Sequence, residues 1–500
     1  MIRKMDRREF LKQGAMTAAA LSVSPQIALT RQAGEKVPTT VARVDAATVR
    51  KFASQLQGQV LRPGDRNYLS ACRDWTGQIP VRPALLVRCA STEDVVASVH
   101  FARENDILPA VRGGGHGLRA TDGGMLIDLS RMKKMEVNRS RRTVRSEPGV
   151  TVRELDRATR AFGHAAVLGE CPSVGISGYT LGGGLGRLMG EHGAAVDNLV
   201  SAQIISADGT LLRASSMENE DLFWAIRGGG GNFGIVTSFE YRIHPVGDVL
   251  AGTLVYPISI AEIVFRFFDD YMTTAPDHLD ALIQIGKGTL LYAPNRSVPT
   301  VAITVCCGGN LRTAEQVLRP LRTFRSPMAD TIRRMSYFEA QLLENLQPLI
   351  DHATPEYSGY FKQGFVTRLG ADVIDAVIRH CEKPVGVSWS VAFDHYMHGA
   401  VCRVPEGDMA FSLRLNGYSF RITSFEKGER VPAASVEWGG SLHRGLEPFS
   451  GGRMYLNYLG DEGNEGVRAA LGSNYARLLA LKKTFDPTNF FRFNPNIEPA

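Results

Sequence analysis

The chain has 500 residues, of which 44% are hydrophobic and 22% charged, the balance of an ordinary globular protein. One hydrophobic core rarely grows past ~250–300 residues, so two domains are expected. The net charge of +6 makes no case for nucleic acid or a charged membrane surface, and no apolar run reaches the ~20 residues of a bilayer span.

The first thirty residues stand apart. Arg7 and Arg8 are followed by Phe10, Leu11 and Lys12, then by an Ala-rich apolar region from Gly14 to Val23. This resembles a twin-arginine export signal over residues 1–30, which implies the twin-arginine export machinery and a periplasmic or secreted destination. An amphipathic first helix or a basic tail is the alternative. No A-x-A site marks the cut. The segment holds five Lys/Arg and two Asp/Glu, so +3 of the +6 would leave with it. This route carries folded proteins, which suits a chain that must take up a cofactor before export.

Strand, helix and strand follow over 84–111. Ala84–Ala90 is apolar, Ser91 with Asp94 opens a helix, and Val95, Val99 and Ala102 share one helical stripe. Ile107–Val111 is the second strand, and RGGGHG (112–117) leaves it. Met125–Leu129 reads as a strand, with a hairpin around Asn138–Arg141. Thr151 with Glu154 opens a helix to Phe162. Leu199–Ala207 and Gly209–Ala214 form a hairpin about Asp208-Gly209. A short helix, Asp221–Ile226, leads through GGGG to a strand over Ile235–Ile243, and His244-Pro245 closes the block. Beyond it the pattern predicts helices Ala261–Tyr271, Ala314–Phe324 and Ala371–Cys381, and strands Phe411–Leu415 and Tyr418–Ile422. No internal repeat is present.

The seven cysteines (Cys72, Cys89, Cys171, Cys306, Cys307, Cys381, Cys402) show no metal-ligand spacing, and no metal is expected. Their odd number means that in an oxidising compartment at least one thiol has another fate.

Three glycine clusters carry the chemistry. GGGNFG (229–234) fits G-x-G-x-x-G, but the following IVTSFEYRI alternates like a strand, where a dinucleotide fingerprint needs a helix. RGGGHG suits a backbone nest. Gly113, Gly114, Gly115 and Gly117 can turn N–H groups inward on a diphosphate with Arg112 beside them; a plain glycine turn is the alternative. GECPSVGISGYTLGGGLG (169–186) holds a lone Cys171. By itself it reads as a small buried hydrophobe, as His116 alone reads as a structural imidazole.

Together the clusters mean more. RGGGHG, GECPSVGISGYTLGGGLG and DLFWAIRGGGGNFGIVTSF resemble the vanillyl-alcohol-oxidase-type (PCMH-type) FAD-binding superfamily. With the C-terminal YLNY and TFDPTNFF, the chain resembles its berberine-bridge-enzyme-like branch. The resemblance covers about 55–248 and 440–500; the middle is only loosely similar. It implies an α+β fold: an FAD-binding domain of two α/β subdomains over 45–248, a substrate domain with a large antiparallel sheet covered by helices over 249–440, and a segment over 441–500 that returns to the FAD domain. The residues themselves indicate only the break near 248.

The resemblance further implies FAD bonded twice, through His116 to the 8α methyl and through Cys171 to carbon 6. It places Val174, Gly175, Ser177, Gly178, Gly182, Gly183, Asn232, Gly234, Ile235, Val236 and Asn494 against the cofactor. It also implies an oxidoreductase in which FAD takes a hydride from an alcohol carbon of a sugar, oligosaccharide or glycosylated compound. Tyr458 of YLNY is the implied base, with Tyr455 and Arg414 as helpers. In a strand, positions 455 and 458 would face opposite ways, and two aromatic core residues are the alternative. An ordinary phenol titrates near ~10, so a tyrosine base needs a lowered pKa or concerted transfer. His395 and His398 read as structural, and Asp394 is the one candidate carboxylate. A residue of modest size at Val174 implies access for molecular oxygen and release of hydrogen peroxide. The rival readings are a periplasmic dehydrogenase feeding a quinone or cytochrome, and a flavin-carrying binding protein with little turnover.

Overall fold

The computed structural model describes residues 44–73, 81–117, 122–287, 298–343, 357–428, 431–460 and 462–499; the twin-arginine segment lies outside them. The fold is mixed α+β. Strands β1 (Gln59–Leu61), β2 (Leu85–Arg88), β3 (Pro109–Arg112) and β4 (Met125–Asp128) form a sheet of order β1-β2-β4-β3, with β2, β4 and β3 parallel. Ser91 and Asp94 begin helix Thr92–Glu104 as the capping pattern predicts, and Val95, Val99 and Ala102 are buried from it.

A second sheet of order β5-β6-β10-β8-β9 uses β5 (Met135–Asn138), β6 (Thr143–Ser146), β8 (Leu199–Ile205), β9 (Leu211–Ser215) and β10 (Ile235–Arg242). The minor pair β7 (His164–Ala165) and β11 (His244–Pro245) closes its rim. At Gly209 the β8–β9 turn needs a φ of +87°, which glycine adopts without strain.

The third sheet has eight strands in the order β15-β12-β14-β13-β18-β19-β17, with β16 pairing β12. These are β12 (Asp248–Pro257), β13 (Leu279–Lys287), β14 (Thr300–Cys307), β15 (Ala329–Asp330), β16 (Arg333–Ser336), β17 (Tyr357–Val366), β18 (Ser388–Met397) and β19 (Gly417–Lys427), paired antiparallel. Alternation divides its residues between two faces. Ile283, Ile303, Trp389, Val391, Phe393, Phe420 and Ile422 form one core with the helices Ala261–Met272, Leu311–Thr323, Ala371–Cys381 and Ala433–Leu446. The other face carries Gln284, Gln363, Ser390, Asp394, Ser419, Arg421 and Thr423.

One expectation fails here. Phe411–Leu415 forms no strand, because its backbone is spent elsewhere: Phe411 N–H donates to the Arg227 carbonyl, and the adjoining Ala410 donates to that of Trp224. The boundary at 440 falls inside helix Ala433–Leu446. That helix is hard to read because Gly439-Gly440 interrupts it, yet a Cβ on Gly439 would lie 2.6 Å from the Tyr360 ring.

No helix among the described residues is long and apolar enough to cross a membrane. All seven cysteines are free thiols, so their odd number has no bearing on pairing.

Candidate active site

The RGGGHG turn leaves the end of β3 and meets the second glycine loop back to back. A Cβ on Gly114 would sit 2.3 Å from the Gly175 nitrogen, one on Gly175 2.4 Å from the Gly114 nitrogen, and one on Gly113 2.1 Å from Ser177 Oγ. These three glycines therefore permit loop-to-loop contact. Gly115, at φ +82°, supplies the turn, and Gly117 and Gly178 face open space. Arg112 does not reach toward a diphosphate. It is buried in an ion pair with Asp128 at 2.6 Å and donates to the carbonyls of Ala71 (2.7 Å) and Arg73 (3.3 Å).

The loop contact brings His116 and Cys171 to a single hydroxyl. Ser173 Oγ lies 2.9 Å from His116 Nε2 and 3.5 Å from Cys171 Sγ. Burial pushes the His116 imidazole down to about 3, so the ring is neutral at working pH. Val174 is half-buried; its carbonyl accepts from Val152 N–H, which fixes the loop to helix Val152–Arg160. Glu170, beside Cys171, pairs with Arg187 at 3.1 Å, and Arg187 also bonds Asp280 of β13. This buried acid–arginine–acid bridge joins the cysteine loop to the eight-stranded sheet. Nothing in the local pattern of Glu170, Arg187 or Asp280 announces it.

The C-terminal segment closes the site from the other side. Asn232 donates to the carbonyls of Gly229 and Pro495 and accepts from Ile497 N–H, so it clamps the chain end to the GGGG turn. Asn494 donates to Gly231 and Phe491 carbonyls, while its buried Oδ1 has no protein partner. Gly234 lies against Ile204 and Ile205, and Ile235 and Val236 pair with the same two residues inside the second sheet. Lys482 is fully buried and donates to Asp486 (2.7 Å), Asn232 O (2.9 Å) and Phe491 O (3.0 Å).

YLNY is not a strand. Leu456–Tyr458 is a 3₁₀ turn, so Tyr455 and Tyr458 fall on the same side, with ring centroids 4.8 Å apart in an edge-to-face pair. Gly182 leaves room for Asn457, to whose Oδ1 a Cβ would come within 2.1 Å; Gly183, at φ +130°, leaves room for Phe411. Tyr455 is not a base. Its oxygen accepts from Gly184 N–H (2.8 Å) and Asn457 Nδ2 (2.9 Å), which occupies both lone pairs. Arg414 is held by Asp197 in a bidentate pair at 2.7 and 2.8 Å and lies over the Phe411 ring. His395 and His398 stack on each other in a buried pair.

Tyr458 stacks on Phe365 and meets the polar face of the large sheet. Burial raises its phenol above the ordinary range, and the Asp394 carboxylate raises it further; Arg421 and the Ser419 hydroxyl pull the other way. Asp394 is buried, 3.4 Å from Ser419 Oγ and 3.9 Å from Arg421. Arg421 and Ser419 escape a reading of the sequence because only strand register brings them beside a residue of the C-terminal turn.

The donor set fits a flavin: an open glycine-lined turn, a histidine and a cysteine meeting at one hydroxyl, and an orphaned buried amide oxygen of Asn494. A mostly parallel sheet with glycine turns at its edge, beside an antiparallel sheet with a polar face, is compatible with an FAD-binding protein. Residues 83–215 match the family described as FAD binding domain, and 454–498 the one described as berberine and berberine like. (R)-6-hydroxynicotine oxidase of Paenarthrobacter nicotinovorans is 30% identical over 465 residues, 89% of this chain and 97% of that protein. The crystal structure of 6-hydroxy-D-nicotine oxidase from Arthrobacter nicotinovorans superposes with a TM-score of 0.78 at 28% identity, covering 89% and 98% of the two chains. Glucooligosaccharide oxidase from Acremonium strictum shares the fold, with a TM-score of 0.79 at 19% identity over 91% and 99%. The chain belongs to the berberine-bridge-like FAD-linked oxidoreductases.

Proposed function

We propose that the protein is an exported oxidase with FAD bonded to both His116 and Cys171. It acts on an alcohol carbon of a sugar, oligosaccharide or glycosylated compound, with molecular oxygen as acceptor and hydrogen peroxide as product. The observation that carries this reading is the meeting of His116 and Cys171 at the Ser173 hydroxyl, from positions far apart in sequence. The glucooligosaccharide oxidase of Acremonium strictum carries a 6-S-cysteinyl, 8α-N1-histidyl FAD, the same two kinds of link. Bound FAD supplies the hydride acceptor.

The chain's own residues handle the rest. Tyr458 sits where an alcohol hydroxyl can be met, and its raised phenol rules out a standing phenolate. Proton removal is therefore concerted, with Tyr458 accepting the substrate proton as its own moves toward Asp394 by way of the Ser419 hydroxyl, which lies between them. Gln284 and Gln363 lie on the same polar sheet face, where Ser390 and Thr423 bond each other at 2.8 Å, and a polar wall suits a hydroxyl-rich substrate. Two tethers leave the cleft free to stay open. The modest bulk of Val174 favours oxygen over an artificial acceptor, and the Arg7-Arg8 segment supports export with the cofactor already in place.

Acid precipitation tests the attachment: the yellow chromophore is expected to stay with the polypeptide and to register in its intact mass. Anaerobic mixing with a sugar panel should bleach the flavin, and air should restore it faster than turnover on an artificial acceptor. A colourless pellet refutes the linkage, and slower reoxidation by air refutes the oxidase.

A further inference from the structure

We propose that Ser173 is a positioning residue for covalent flavin attachment, its hydroxyl orienting both His116 and Cys171. The proposal rests on the bicovalent reading above. A hydroxyl has one proton and two lone pairs, and Ser173 Oγ faces His116 Nε2 at 2.9 Å and Cys171 Sγ at 3.5 Å. Two settings spend the hydroxyl proton on one of these partners; a third, in which Nε2–H and the thiol both donate to Oγ, leaves it unused. In the first, Nε2–H donates to Oγ and the hydroxyl proton points at sulfur. That makes Nδ1 the nucleophilic nitrogen and stabilises a thiolate. In the second, the thiol donates to Oγ and the hydroxyl donates to Nε2. That puts the ring proton on Nδ1 and keeps the sulfur protonated, so neither side chain is a nucleophile.

The first setting is the one that frees Nδ1 and leaves the sulfur unprotonated, so it is the one the proposal requires. Ser173 itself is held. Arg153 N–H donates to the Pro172 carbonyl at 3.1 Å, Val152 N–H to that of Val174 at 2.9 Å, and Val174 N–H to that of Cys171 at 3.2 Å. The hydroxyl is thus pinned to the start of helix Val152–Arg160 rather than carried on a free loop.

The chemistry balances. Each attachment would take one hydrogen from a flavin carbon, the 8α methyl for His116 and ring carbon 6 for Cys171, and one proton, from Nε2 of His116 or, for the Cys171 thiolate, from solvent. An N–C or S–C bond forms, the two hydrogens and their electrons reduce the ring, and dioxygen takes them as hydrogen peroxide. The His116 proton leaves from Nε2 through Ser173.

The test follows attachment itself. Full-length wild type, Ser173→Ala and Ser173→Thr, each prepared with incomplete flavin, are incubated with FAD in air from pH 5 to 9, and covalent flavin is read by the intact mass of denatured protein. His116→Ala and Cys171→Ala give the spectra of the single links. Ser173→Ala is expected to bind FAD but attach it about 10-fold more slowly or worse, as loss of a hydrogen bond to a charged group implies. Its pH profile should shift upward as the thiolate loses its donor, and Ser173→Thr should recover the rate. If Ser173→Ala does not fold, Ser173→Cys, a near isostere with a weak donor, takes its place with the same expectation. A wild-type rate and pH profile in the variant that folds overturns the proposal. Wild type that releases its flavin on denaturation overturns the bicovalent reading instead, and the proposal with it.

Discussion

Replacing Tyr458 by Phe removes one hydroxyl and little else. The ring lies edge-on to Tyr455 at 4.8 Å and parallel to Phe365 at 5.9 Å, and phenylalanine preserves both contacts. The loss therefore reports proton transfer. Positioned general bases contribute about 10²–10⁴-fold, or ~3–5 kcal/mol of barrier. Forming a free phenolate beforehand would cost about 4 kcal/mol at neutral pH even for an ordinary phenol, and burial beside Asp394 makes it dearer. Concerted transfer follows, so kcat should show no inflection from Tyr458 between pH 5 and 9. Tyr458→Phe should lose ~10²–10⁴ in kcat with KM nearly unchanged. Asp394→Asn should lose about 10-fold or more, and the double variant should be no worse than Tyr458→Phe alone, since residues acting as one unit are not additive. Anaerobic stopped-flow measurement of flavin bleaching isolates this step. Retention of rate within about threefold in Tyr458→Phe, or a double variant that loses the product of the two single effects, refutes the concerted transfer.

Three further outcomes follow from the packing. Gly114→Ala places a Cβ 2.3 Å from the Gly175 nitrogen, backbone against backbone; the loops must part at ~1–3 kcal/mol, and the FAD content of purified protein should fall. Lys482→Met strands the buried Asp486 carboxylate at about 3–5 kcal/mol, read as a lower urea midpoint, and adding Asp486→Asn should restore part of it. His395 and His244 titrate at about 3 and about 4 because burial disfavours their charged forms, while the unfolded chain takes up protons near 6.5. Their contribution to stability is thus complete above about pH 6.5 and declines as pH falls toward 4. Urea midpoints measured across that range should fall toward acid, and less steeply in His395→Gln.

The FAD-binding half was legible because its signals are local. Ser91 and Asp94, Thr151 and Glu154, and Asp208-Gly209 each depend on neighbours within a few residues, and helices and turns form where those pairs place them. The eight-stranded sheet was barely visible. Its strands carry near-continuous apolar runs on buried positions, such as Thr300–Cys307, whose eight residues are all buried, so the period-two signature is lost. The partners of Arg112 and Arg414 were hidden for a related reason. An arginine beside a glycine turn or on an alternating run suggests a ligand, but the acids that claim them, Asp128 and Asp197, are set by strand pairing and by a chain crossing.

Long-range seating also explains why the base comes from the far end of the chain. Tyr458 can face Asp394 only if the 3₁₀ turn is seated, and the turn is seated by two glycine-loop contacts. Asn457 rests on Gly182 and donates to the Tyr179 carbonyl, and the Tyr455 oxygen takes the Gly184 N–H. The loop that supplies those contacts begins at Glu170 and Cys171 and ends at Arg187, which bonds Asp280 on β13, the strand beside β18, which carries Asp394. One glycine-rich segment therefore fixes the cysteine, the tyrosine turn and the sheet relative to each other. A change at Arg187 should disturb the proposed base and the proposed flavin anchor together, whereas a change at Asn457 should disturb the proposed base alone.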